Sequence, residues 1–93
     1  MATGATTPNQ RFEASLTVGT LVHLVLHAQD TAVGPTWHIA DPNNTGGAHA
    51  AAYAGSIEEA KDVAVAVANA HARHVLQRAS SAEAIPAIAW HPV

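Results

Sequence analysis

Cysteine is absent from this 93-residue chain, which excludes a disulfide framework, thiol chemistry and cysteine-type zinc sites. Basic residues are almost as scarce. Arg11, Lys61, Arg73 and Arg78 are the only cations apart from histidine, and the formal charge is −3. Nucleic-acid binding needs clustered Lys and Arg against the phosphates, so no nucleic-acid partner is expected. No apolar run reaches the roughly 18 residues of a membrane span, and no membrane association is expected. The segment from Met1 to Pro8 lacks the basic and apolar regions of a secretory signal, so the expected compartment is the cytoplasm.

Charged residues make up 12% and aromatics 4% of the chain, against about 25% charged in an ordinary domain. The apolar share is 48%, too high for a disordered chain. Much of it is alanine, which occurs 22 times and buries little area per residue. Such alanine use fits a GC-rich genome, of the kind found in actinobacteria and their phages. The length allows one domain, with a small core whose stability gains from association with a partner.

Residues 1–10 are small and polar, with Pro8, and read as a disordered tail; residues 11–93 read as a single α+β domain. From Phe12 to Ala28 the even positions are apolar in all but one case and the odd positions are mostly polar. Period two is the signature of a strand with one buried face. Two arrangements preserve the parity throughout. One is a long strand bent at Gly19. The other is a hairpin with the three-residue loop Gly19-Thr20-Leu21, which pairs Val18 with Val22 and keeps the even face inward. The hairpin is preferred, because a single strand of that length is far above the usual. A Gly19-Thr20 turn is disfavoured, because it sets Leu16 beside His23 and mixes the two faces.

Residues 30–35 read as a turn and residues 36–40 as a strand with Trp37 and Ile39 on one face. Asp41 to Gly47 is the strongest turn cluster. Residues 48–54 are alanine-rich, which favours helix, but their place after a hairpin loop favours a strand bearing His49, Ala51 and Tyr53 on one face. Ser56-Ile57-Glu58-Glu59 is a capping box, with Ser56 accepting from the Glu59 N–H and Glu59 reaching back to Ser56. It predicts a helix over about 57–79, with Ile57, Ala60, Val63, Ala64, Val67, His71, His74 and Val75 facing the sheet. Residues 84–93 are apolar and held extended by Pro86 and Pro92. They read as an edge strand or as an arm packed on a neighbouring subunit. The expected fold is therefore a small antiparallel sheet of three to four strands on one long helix, with an apolar extended tail.

Seven histidines are the one marked excess: His23, His27, His38, His49, His71, His74 and His91. His23 and His27 share a strand face but stand about 13 Å apart at the rise of a strand, too far for one ion. His71 and His74 are one helical turn apart and could share a metal if a third ligand, His49 or His38, came from the sheet. No HExxH, phosphate-loop, dinucleotide-binding or nucleophile-elbow motif occurs. Gly46-Gly47 reads as turn residues. No catalytic constellation, enzymatic activity or cofactor is expected.

One helix can cover only one face of the sheet. The other face is expected to expose Leu21, His23, Val25 and His27, together with Trp37 and Tyr53, as a contact surface. Trp90 in the tail is a second candidate anchor.

Residues 36–70 resemble the small HicB-like antitoxin domain, in which a strand pair is followed by a T-x-E-E-A helix start. Ser56-Ile57-Glu58-Glu59-Ala60 is the matching segment. The family's P-x-L-P-G-C segment has no counterpart here. The resemblance implies a toxin-neutralising or other protein-binding role. The expected function is thus a small homo-oligomeric module that binds or inhibits a partner protein, as an anti-defence protein or a virion accessory subunit does. The alternative is a small-molecule or metal-binding domain using histidines between sheet and helix.

Overall fold

The computed structural model of the chain describes residues 10–42 and 50–93. The disordered tail expected at residues 1–10 and the candidate ligand His49 fall almost wholly or wholly outside them. In chain order the elements are β1 (Arg11–Val18), β2 (Val22–Thr31), β3 (Gly34–Ala40), β4 (Ala50–Tyr53), α1 (Ile57–Arg78) and β5 (His91–Pro92). The five strands form one antiparallel sheet in the order β4-β3-β2-β1-β5, with the helix on one face. This is the α+β architecture expected, enlarged by a strand from the tail.

The first hairpin follows from the sequence parity. Val18 pairs with Val22 and Leu16 with Leu24, so the even residues share a face and Ala14, Leu16, Val18, Val22, Leu24, Leu26 and Ala28 are all buried. Gly19 turns the chain with φ +54, and the Leu21 N–H donates to the Val18 carbonyl at 3.1 Å. Such a φ is strained for any residue with a Cβ, which is why glycine stands there. The second hairpin is tighter than the expected 30–35 turn: β2 runs to Thr31, β3 begins at Gly34, and only Ala32 and Val33 lie between. The Thr31 hydroxyl holds the turn by donating to the Gly34 carbonyl at 2.5 Å and accepting from the Val33 N–H at 3.3 Å.

Ser56 caps α1 by accepting from the Glu59 N–H at 3.0 Å. The Glu59 carboxylate reaches back to the Gly55 N–H at 3.2 Å, one residue before the expected Ser56 N–H. The stripe at the centre of the contact is Ala60, Ala64, Ala68, Ala72 and Leu76. Of the expected face, Ala60 and Ala64 lie on this stripe, whereas Ala68, Ala72 and Leu76 were not among its members. Val63, Val67, His71 and Val75 form a half-buried flank beside it, and His74, expected to face the sheet, is corrected: it is exposed. Alanines at the line of closest approach let the helix sit low on the sheet, and the larger side chains fill the angles beside it.

α1 lies over β2 and β3, leaving β1 to be covered by other means. Residues 80–93 supply the cover. Glu83 lies beside Gly19 at the hairpin end, and the chain then runs antiparallel to β1 until Pro92 pairs with Phe12 and His91 with Glu13. Ile85, Ile88 and Trp90 pack against the core along the way. The tail is therefore an edge strand and a lid on its own core. Trp90, the second candidate anchor, is half-buried with its ring against its own core.

Candidate functional site

In an antiparallel pair, residues directly opposite one another project from the same face. Register therefore converts the odd residues of β1 and β2 into rows across the face that the helix leaves uncovered. One row reads Arg11, Gln29, Thr36, Tyr53. The next reads His91, Glu13, His27, His38, Ala51 from edge to edge. Ser15, Val25 and Ala40 form a third, and Thr17 with His23 a fourth.

The second row carries the chemistry. His27 and His38 are stacked with ring centroids 4.5 Å apart and planes inclined by 22°. His27 Nδ1 lies 3.1 Å from His38 Nε2, while His27 Nε2 lies 3.4 Å from Glu13 Oε2. A carboxylate beside Nε2 favours a proton on that nitrogen. Nδ1 of neutral His27 then accepts, and His38 Nε2–H donates. The arrangement is a cross-strand chain from Glu13 through His27 to His38, and each member fixes the ring orientation of the next. His91 stands on the far side of Glu13, over a shallow hollow of about 200 Å³ shared with Ser15 and Val25. At the opposite end of the hairpin the Thr17 hydroxyl and His23 Nδ1 are 3.0 Å apart.

This geometry orients rings; it does not assemble a metal centre. The two imidazole nitrogens that face each other have the Glu13 carboxylate on the other side of His27. Among the described residues no group of three His, Asp or Glu side chains could hold a metal ion. His71 is half-buried on the helix flank and His74 is exposed. The third ligand considered for them, His49, lies outside the described residues.

The expected contact residues fall in several places. His23, Val25 and His27 lie on the open face, half-buried among their neighbours. Tyr53 joins them at the β4 edge with 67% exposure. Leu21 is in the hairpin loop, 41% exposed. Trp37 is corrected: it is 8% exposed and packs on the helix side with Ile39. Its partner across the sheet is Ala28, a core residue, so the two-residue turn decides its side. Without Trp37 the open face is more polar than expected, with Ser15, Thr17, Gln29 and Thr36 among the histidines.

Sequence reasoning passed over Glu13, His38 and His91 as members of one row. The pairing of Glu13 with His27 was available from the three-residue hairpin. The placement of His38 needed the second turn, and that of His91 needed the tail to fold back.

Among the described residues no helix is long and apolar enough to cross a membrane. Comparison with protein-family models, with curated proteins and with solved structures finds no match.

Proposed function

We propose that this chain is a non-enzymatic protein-interaction module, self-associating and holding a partner protein against the open face of its sheet. The observation that carries the reading is the character of that face. Across the rows of β1 to β4 only Arg11 and Glu13 are formally charged. The remaining side chains are uncharged: Gln29, Val25 and Tyr53 stand among small residues and imidazoles. Interfaces are depleted in charge at their centres and need be no more apolar than the rest of a surface. A flat sheet with few long flexible side chains also loses little rotamer entropy when covered.

The Glu13–His27–His38 chain supports the same reading, since rings already fixed by their neighbours cost less to immobilise in a complex. The partner is expected to meet this face with hydrogen-bonding groups and ordered water, not with one large apolar plug. The strand–strand–helix order of β3, β4 and α1 is compatible with the antitoxin-like resemblance. A partner to be neutralised, such as a toxin or a defence protein, is the class proposed. The reading assigns no cofactor and a cytoplasmic setting.

The test is affinity capture from cells that encode the chain, comparing the wild type with Val25→Lys/Thr36→Lys, followed by titration calorimetry with the purified candidate. A partner that binds the wild type and loses at least tenfold in affinity for the double variant is the expected result. A partner held equally by both proteins moves the site elsewhere.

A further inference from the structure

The two edges of the sheet are built differently. β5 is two residues long and contains Pro92, and proline on a short edge strand is a common way to prevent further pairing. β4 is Ala-Ala-Ala-Tyr, with no charge, no proline and exposed side chains from Ala51 to Tyr53. A shallow cleft of about 600 Å³, lined by Thr36, Trp37, His38, Ala51, Ala52 and Tyr53, runs along it.

Hydrogen-bond parity shows what this edge offers. The Ala54 N–H donates to the Pro35 carbonyl at 2.9 Å, so residues 54 and 35 form a hydrogen-bonded pair. Such pairs alternate along an antiparallel ladder. With Trp37 opposite Ala52 and Ile39 opposite Ala50, the main-chain groups of Ala50, Ala52 and Ala54 face β3. The N–H and C=O of Ala51 and Tyr53 therefore point out of the sheet.

We infer that β4 pairs with the β4 of a second copy of this chain, antiparallel about a two-fold axis at Ala52, joining the two sheets into one. Only pairings that match residues of like parity keep both helices on the same side of the joined sheet. Setting Ala52 against the partner's Ala52 places Ala51 against the partner's Tyr53, and Tyr53 against the partner's Ala51. All the outward N–H and C=O groups are then paired within residues 50–54, giving four main-chain hydrogen bonds. Each Tyr53 ring covers the partner's Ala51 on the open face.

Like charges oppose one another wherever a two-fold axis brings a residue onto its own copy. β4 is uncharged, and so is the adjacent helix flank of Val63, Val67, His71 and Val75 when its histidine is neutral. That flank lies on the β4 side. The opposite flank carries Lys61, which sits 3.7 Å above the Phe12 ring of β1, and Val65, which lines a cleft together with Ile85 and Ile88 of the tail. The side of the helix next to β1 is thus flanked by the chain's own tail, and the side next to β4 is left for the association. A short strand pair with little side-chain area gives a weak, concentration-dependent dimer.

This inference takes up the self-association in the proposed function and gives it a surface separate from most of the open face. Sedimentation or light scattering at tens of micromolar tests it. The weight-average mass of the wild type is expected to rise with concentration from the 9.6 kDa chain mass toward twice that value. Ala51→Pro removes an outward N–H that no internal bond among the described residues uses, so it should retain the wild-type circular dichroism and run as a monomer. Ala52→Glu and Ala52→Lys each set like charges across the axis and should weaken association roughly tenfold or more. Mixing these two variants should restore the dimer as a heterodimer. A wild type that stays at the chain mass overturns both the edge contact and self-association, and leaves partner binding by the open face standing. A dimer that survives Ala51→Pro, or charge variants that do not recombine, overturns the edge contact alone.

Discussion

His27 Nδ1 and His38 Nε2 face each other at 3.1 Å across β2 and β3. The contact exists because the Ala32–Val33 turn sets residue 27 opposite residue 38. With Glu13 on the other side of His27, it specifies a tautomer. Neutral His27 should carry its proton on Nε2, a state read from the ¹⁵N shifts of the ring in a long-range proton–nitrogen spectrum. Glu13→Leu removes the carboxylate and should shift the tautomer balance toward Nδ1–H. If the wild-type ring already carries its proton on Nδ1, the direction assigned to the chain is wrong.

The hairpin glycine provides a second test. Gly19 has φ +54, and a Cβ there would lie 2.8 Å from Glu83 Oε1. Gly19→Ala should cost about 1–2 kcal/mol in a urea titration, mainly through the left-handed backbone. Pairing it with Glu83→Ala relieves the close contact but leaves the backbone cost, so most of the loss should persist. Full recovery in the double variant would assign the whole effect to the tail.

The alanine stripe predicts an asymmetry around the helix. Ala64 is wholly buried where α1 meets the sheet. Ala64→Leu should lower stability by about 1–3 kcal/mol through overpacking. Ala66 is exposed on the same helix, and Ala66→Leu should change stability by no more than about 0.5 kcal/mol. Equal effects of the two substitutions would contradict the observed helix face.

Asn69 illustrates a polar group at a disadvantage. Its Oδ1 is buried and has no hydrogen-bond partner among the described residues, beside the cleft between α1 and the tail. Asn69→Leu removes an unsatisfied acceptor and improves helix propensity, so it should raise stability by about 1 kcal/mol or more. A loss of stability instead would show that the amide has a partner in solution.

The tail gives the last prediction. Trp90 packs half-buried on its own core, so Trp90→Ala should destabilise the chain by about 1–2 kcal/mol at any protein concentration. An anchor for a neighbouring subunit would instead show its effect only in the association equilibrium.

Alternation over residues 12–28 determined the buried face and, given a hairpin, its three-residue loop, because a period of two survives only one loop parity there; strand length alone favoured the hairpin over one long bent strand. Ser56 and Glu59 likewise marked the start of α1. These signals are local: a few neighbouring residues contain the whole argument. Tertiary structure alone decided the side on which Trp37 lies, since a strand's two faces are equivalent until a turn fixes its register. It also decided that alanines take the line of closest approach, with the valines packed beside it, because closeness of approach is a property of two packed surfaces. The return of the tail along β1, which completes the His91–Glu13–His27–His38 row, joins residues almost eighty positions apart. Contacts that distant depend on the shape left uncovered by one helix on a five-stranded sheet, and nothing within residues 84–93 encodes that shape.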